Sequence, residues 1–238
     1  NNIDNLYVIL PFEKKYFEQK HNFPVKFLGH PILDSIEEYK KSEKEDFFIK
    51  HKLSNEKDII SILPGSRKQE IKKILGTMLE VTEHFPNYQF IIAGAPNINL
   101  NFYKNLIKNK NVSIIKNETY ALLSNSKASL VTSGTATLEA SIFRIPQVVC
   151  YKTSILSYFL AKIFVKIKFI SLVNLIMDEE IIKELIQSKC SKKNIIKELK
   201  NVLDLEKRHN LISKYDKLIK LLGSSGSSKR VAQDIVLN

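Results

Sequence analysis

The chain has 238 residues, 44% hydrophobic and 26% charged, which is enough apolar material for a buried core and excludes an intrinsically disordered chain. Its 37 Lys and Arg against 25 Asp and Glu give a net charge of +12, which favours an acidic partner: nucleic acid, an anionic lipid surface or a phosphorylated ligand. Cys150 and Cys190 are too few for a disulfide framework, no Cys/His set has zinc-ligand spacing, and no run of eighteen uncharged apolar residues occurs, so a reducing, cytoplasmic setting is expected.

The chain opens Asn1-Asn2-Ile3-Asp4, with neither an initiator Met nor a signal-peptide pattern, and is expected to begin inside a longer protein. Short β-rich runs follow at 6–10, 25–28, 59–63, 89–93, 112–115, 129–132 and 147–151. After 59–63, Ile71, Ile74, Leu75, Met78, Leu79 and Thr82 recur at spacings of three and four, with Lys68, Lys72, Lys73 and Glu80 off that stripe. The strand-then-helix pattern returns through 101–109, 119–125 and 134–143. It predicts an α/β fold of Rossmann-like type, a parallel sheet with helices on both faces. From Asp178 the pattern predicts helix throughout, with Ile195, Leu199, Val202 and Leu203, then Leu211, Tyr215, Leu218 and Leu222, on apolar faces. The glycine- and serine-only stretch 223–228 reads as a flexible break before a short helix from Lys229.

Two turns carry the candidate chemistry. In Leu63-Pro64-Gly65-Ser66-Arg67-Lys68-Gln69-Glu70-Ile71, a strand end meets a helix start. Gly65 permits close backbone approach, the first helical amides favour an anion, and Ser66 and Arg67 add a hydroxyl and a bidentate cation, a set suited to phosphate. The alternative is a plain turn in which Ser66 caps the helix and Gln69 completes a capping box. Thr132-Ser133-Gly134-Thr135-Ala136-Thr137-Leu138-Glu139 repeats the arrangement, with hydroxyls and a glycine for an anion and Glu139 for ribose hydroxyls. Its alternative has Ser133 or Thr135 as cap and Glu139 in solvent. Both turns fall at the C-terminal edge of the predicted sheet, where open α/β sheets bind ligands.

Further along, 155–170 is apolar and aromatic with only basic charges, Lys162, Lys166 and Lys168. Such a run suits an anionic headgroup layer, and a core helix or subunit interface is its alternative. His30, between Gly29 and Pro31, reads as structural with a place in a site as its alternative, and Asn174 and the stretch Glu184-Leu-Ile-Gln187 offer polar groups for sugar hydroxyls, with solvated helix residues as their alternative. The aromatics lie mostly within apolar runs, not interleaved with basic residues, so nucleic acid is not the expected partner.

The ordered set Leu10-Pro-Phe-Glu-Lys14, Gly29-His-Pro-Ile-Leu-Asp34, Leu63-Pro-Gly-Ser-Arg67, Ser133-Gly-Thr-Ala-Thr-Leu-Glu139, Tyr151-Lys152, Ser171-Leu-Val-Asn174 and Lys183-Glu-Leu-Ile-Gln187 resembles the lipid-A-disaccharide synthase family over nearly the whole chain. That resemblance implies one half of a GT-B glycosyltransferase: residues 1–50 as a remnant of the N-terminal domain and its connection, 51–222 as the UDP-sugar-binding domain with a helical extension, and 223–238 as a break and terminal helix. It places Gly65, Ser66 and Arg67 on the donor diphosphate, with Arg67 stabilising the leaving group. Ser133, Gly134 and Thr135 then face the nucleotide, Glu139 the ribose, and Asn174 and Gln187 lie beside the donor. The family's acceptor half and its general base precede the first motif found here. Where that family reads Ser-Leu-Pro-Asn this chain has Val173, and a nearby glycine is replaced around Met177-Asp178. The implied reaction passes acylated glucosamine from UDP to a lipid monosaccharide phosphate, forming a β-1,6 disaccharide, without cofactor or metal, at the inner membrane's cytoplasmic surface. Homodimer formation stays open. The competing readings are another UDP-GlcNAc enzyme of this fold, an epimerase or a peptidoglycan transferase, and a basic membrane-binding module without catalysis.

Overall fold

A computed structural model describes residues 3–42, 45–108, 110–153 and 168–237. The chain divides into two compact units: Asn1–Lys44 with Asp216–Asn238, and Glu45–Tyr215.

The first unit opens with β1 (Tyr7–Val8), α1 (Pro11–His21), β2 (Lys26–Phe27) and α2 (Ile32–Lys41), and β1 pairs parallel with β2. Pro11 sits at the first position of α1, where its missing N–H costs nothing, and Glu13 folds back to accept the Leu10 N–H at 2.9 Å. Ile32, Leu33 and Ile36 form the buried face of α2.

In the second unit come α3 (Phe47–His51), β3 (Asp58–Leu63), α4 (Lys68–Leu79), β4 (Tyr88–Gly94), α5 (Leu100–Ile107), β5 (Ser113–Lys116), α6 (Thr119–Ser124), β6 (Ser126–Val131), α7 (Ala136–Ile142), β7 (Gln147–Tyr151), α8 (Leu172–Met177), β8 (Lys183–Ile186) and α9 (Lys192–Leu203). The six strands stand in the order β5-β4-β3-β6-β7-β8, and every pairing is parallel. The predicted α/β fold is therefore observed. Strand β3 is buried from Ile59 to Leu63, and apart from Ser61 it is apolar, the pattern of a central parallel strand covered on both faces. On one face Ile60, Ile62, Phe90, Ile92 and Leu130 join a core with Ile71, Ile74, Leu75 and Met78 of α4 and Ile195 and Leu199 of α9. Ile59, Ile91 and Ile115 pack with Phe47 and Leu122 in a separate core. Each such side chain contributes about 1.5–3 kcal/mol by leaving water.

Two expectations are corrected. The region after Asp178 is not helical throughout, because Lys183–Ile186 forms an edge strand paired with β7 from Val148 to Tyr151. Lys, Glu and Leu favour helix, but burial of Glu184 and Leu185 beside β7 outweighs that weak preference. The 223–228 stretch is not a free break. After α10 (Leu205–Leu222), the last helix α11 (Ser227–Leu237) starts two residues before Lys229. The Asp34 carboxylate accepts the Gly226, Ser227 and Ser228 amides and the Ser227 hydroxyl, while Arg230 donates to the Leu28, Ser224 and Ser225 carbonyls. Partial burial pushes the Asp34 carboxyl up, but the Ser228, Gly226 and Ser227 donors outweigh it and hold its pKa at about 2.

Candidate functional site

Strand order reverses between β3 and β6: the chain runs outward through β4 and β5, then returns to β3's other side. Their register ends at Leu63 opposite Val131, and the Thr132 N–H donates to the Leu63 carbonyl at 2.9 Å. The two glycine turns therefore leave adjacent strands side by side, at the reversal where open α/β sheets form a ligand crevice.

In the first turn Gly65 has φ +104°, which suits glycine alone, and a Cβ there would lie 3.0 Å from Glu70 Oε2 and 3.8 Å from Thr132 Cγ2. The expected capping alternative does not form. Arg67, not Ser66, is the N-cap of α4, with extended backbone and no side-chain cap bond. The Ile71 N–H reaches the Arg67 carbonyl at 3.1 Å, so the amides of Lys68, Gln69 and Glu70 precede the helix's own hydrogen-bond ladder. Ser66 is exposed, and the Arg67 side chain, 80% exposed, donates from Nη1 to Glu70 Oε1 at 2.8 Å.

The second turn is open. Gly134 has φ +147°, and nothing lies within 4 Å of a Cβ built there. Thr135 caps α7 without a side-chain bond, the Thr137 hydroxyl donates to the Gly134 carbonyl at 2.8 Å, and the Ser133 hydroxyl donates to the Ile170 carbonyl at 2.6 Å. Glu139 is not in free solvent: burial raises its pKa, and among the described residues no hydrogen bond or ion pair reaches its carboxyl. Thr132, 5% exposed, carries a buried hydroxyl without a partner among the described residues. The sequence signals it only as the hydroxyl that opens the second motif, directly after β6.

Asn174 and Gln187 lie toward β7 and β8 and are internally engaged. The fully buried Asn174 amide donates to the Ile182 carbonyl and Glu184 Oε1, both at 2.9 Å, and accepts the Ile181 and Ile182 amides at 2.9 and 3.0 Å. All its hydrogen-bonding capacity is used. Glu184 also accepts the Ile170 amide and the Ser171 amide and hydroxyl, so the Ser133 turn is tied through residue 170 to β8. The sequence offers Glu184 with Gln187 as a polar group for sugar hydroxyls or a solvated helix residue; it is neither, but a buried carboxylate on β8 that organises the turns around it. The two departures near Asn174 are accommodated: Val173 is buried in the first turn of α8, and Asp178 adopts the left-handed end position, φ 49°, that glycine commonly fills. Gln187 accepts the Thr153 amide at 3.2 Å at the end of β7, and Lys152 donates to the Thr77 hydroxyl at 2.8 Å. Lys168 pairs with Asp178 at 3.2 Å, while Lys162 and Lys166 lie outside the described residues. Among the described residues, no helix is long and apolar enough to cross a membrane.

A family model described as Lipid-A-disaccharide synthetase matches residues 1–236. The lipid-A-disaccharide synthase of Psychromonas ingrahamii is 33% identical, over 98% of this chain and 62% of the relative, and that of Persephonella marina is 36% identical, over 96% and 63%. The chain thus spans about three fifths of the length of these curated relatives. Among solved structures, a UDP-GlcNAc 2-epimerase of Methanocaldococcus jannaschii in complex with UDP-GlcNAc and UDP superposes with TM-score 0.65 at 16% identity, over 98% of this chain and 61% of that one. A glycosyltransferase involved in lipopolysaccharide biosynthesis superposes with TM-score 0.57 at 12% identity, over 97% and 62%. These likenesses show the fold. Membership rests on the sequence matches along almost the entire chain, and by them the protein belongs to the lipid-A-disaccharide synthase family.

Proposed function

We propose that the unit Glu45–Tyr215 binds the UDP-linked donor of a glycosyltransferase that passes acylated glucosamine to a lipid monosaccharide phosphate, forming the β-1,6 lipid A disaccharide. The observation that carries this reading is the pair of glycine turns at the β3/β6 reversal, joined by the Thr132 to Leu63 hydrogen bond. The diphosphate lies against Gly65, Ser66 and Arg67. There the first amides of α4 and the guanidinium meet the negative charge that grows on UDP as the glycosidic bond breaks. The open face at Gly134, flanked by Ser133 and Thr135, receives the nucleotide, and the Glu139 carboxylate takes the ribose hydroxyls, whose donors offset its desolvation. Asn174 acts by holding the turn before β8, and Gln187 by holding Thr153. The acceptor and general base belong to the remainder of the family's length. The basic charge that the sequence carries at Lys162, Lys166 and Lys168 suits attraction to the anionic inner-membrane surface, the protein being cytoplasmic and peripherally bound.

The test is calorimetric titration of the chain with UDP, with and without EDTA, with UMP as control. Micromolar binding insensitive to chelation supports the reading. Arg67→Ala should weaken UDP by about 1.5–3 kcal/mol, the size of a charge-assisted contact, without moving the melting temperature. No binding by folded chain, or an unchanged affinity in Arg67→Ala, refutes this assignment.

A further inference from the structure

We propose that Glu70 is a built-in competitor for the diphosphate: its carboxylate holds Arg67 and lies against Gly65, and a nucleoside diphosphate binds by exchanging with it. This rests on the donor-site reading above and adds what sets affinity and release at that site.

One carboxylate oxygen is bonded to the guanidinium that would receive phosphate, and the other stands over the open face of Gly65. Oε1 accepts from Arg67 Nη1 at 2.8 Å, and Oε2 lies 3.0 Å from where a Cβ on Gly65 would stand. Glu70 is the third residue of α4, within the first turn, where the helix's positive end attracts any anion. An acidic residue at this position commonly folds back onto the backbone of the cap, and Glu13 does so in α1, accepting the Leu10 amide at 2.9 Å. Glu70 instead spends its bond on the Arg67 guanidinium. The same three elements, glycine turn, helix start and arginine, therefore serve a carboxylate of this chain or a phosphate of the ligand. With both anions on one guanidinium the like charges oppose each other. Exchange is easy because Arg67 is 80% exposed, and exposed ion pairs are weak. Glu70 thus lowers affinity for the charged nucleotide and speeds its departure, which suits a transferase that must release UDP each turnover.

The experiment compares UDP binding to the full chain, Glu70→Gln, Arg67→Ala and the double variant, with stopped-flow release rates. Glu70→Gln keeps the shape and removes the charge. It should tighten UDP about fivefold and slow its release, which corresponds to about 1 kcal/mol. In the Arg67→Ala background the gain should fall to about twofold, the remainder coming from the carboxylate's place at Gly65 and the helix start. Glu70→Asp, which draws the carboxylate back by one methylene, should shift affinity in the same direction and guards against misfolding of the first variant. Unchanged or weaker binding by Glu70→Gln, with wild type binding and Arg67→Ala impaired, overturns the proposal and makes Glu70 a support for Arg67. Absence of UDP binding in all the folded chains overturns the donor-site reading itself, and this proposal with it.

Discussion

Replacing Asn174 with alanine separates a residue that builds the site from one that touches ligand. The amide is fully buried and makes four hydrogen bonds within one turn: to the Ile182 carbonyl, to the Glu184 carboxylate and from the Ile181 and Ile182 amides. Alanine leaves two amides without an acceptor, one carbonyl without a donor, and a buried carboxylate short of one of its donors. Three ordinary bonds at about 1 kcal/mol and one charge-assisted bond at about 1.5–3 sum to about 5 kcal/mol, and entry of water into the gap brings the net cost to about 3–4. In a folded unit of this size each kcal/mol lowers the melting temperature by about 2–4 °C, so a fall of about 10 °C is expected. Thermal unfolding followed by circular dichroism measures it, with UDP titration well below the melt. Affinity there should stay within about threefold of wild type, because no hydrogen-bonding capacity of Asn174 is left for a ligand. A melting temperature unchanged while UDP affinity falls tenfold would refute the reasoning and make Asn174 a donor contact.

Glu139→Gln should raise the melting temperature by a few degrees at neutral pH, since it removes a desolvated charge without a partner among the described residues, while weakening UDP severalfold. The stability gain should fade on acidification, because the raised pKa lets the wild-type carboxyl take up a proton sooner than an ordinary Glu; urea unfolding between pH 7 and 4 reads this out. In the other unit, Asp34→Asn should cost about 1–2 kcal/mol at pH 7, after discounting for solvent screening of a carboxylate still partly in water. The native pKa of about 2 lies below the unfolded value, so the native state binds fewer protons. The difference between Asp34→Asn and wild type is therefore fully present above about pH 4 and lost as pH falls through about 2, as urea midpoints across that range will show.

The sheet and its ligand edge were legible because their signals are periodic and local. The five apolar positions from Ile71 to Leu79 could form only one helix face, and two glycine turns each sit between a strand and a helix. What was not legible depends on partners distant in sequence. Lys183-Glu-Leu-Ile186 has helix-favouring composition, and only β7, some thirty-five residues earlier, makes it a strand. The 223–228 stretch has the composition of a linker, and only Asp34, about 190 residues earlier, turns it into an ordered helix start. The same logic divides the site residues. Arg67 and Glu139 are ionisable groups left without a full set of internal partners, so their residue types already state what they offer a ligand. Asn174 and Ser133 offer the same chemistry on paper, but the fold has committed the Asn174 amide and the Ser133 proton to its own backbone. Glu70 stands between these cases: it is three residues from Arg67, a spacing visible in the chain, yet its meaning depends on Arg67 taking the cap position expected of Ser66. With Ser66 as cap, Glu70 would lie one position further along the helix, and the carboxylate that meets both Arg67 and Gly65 would have no reason to compete with phosphate.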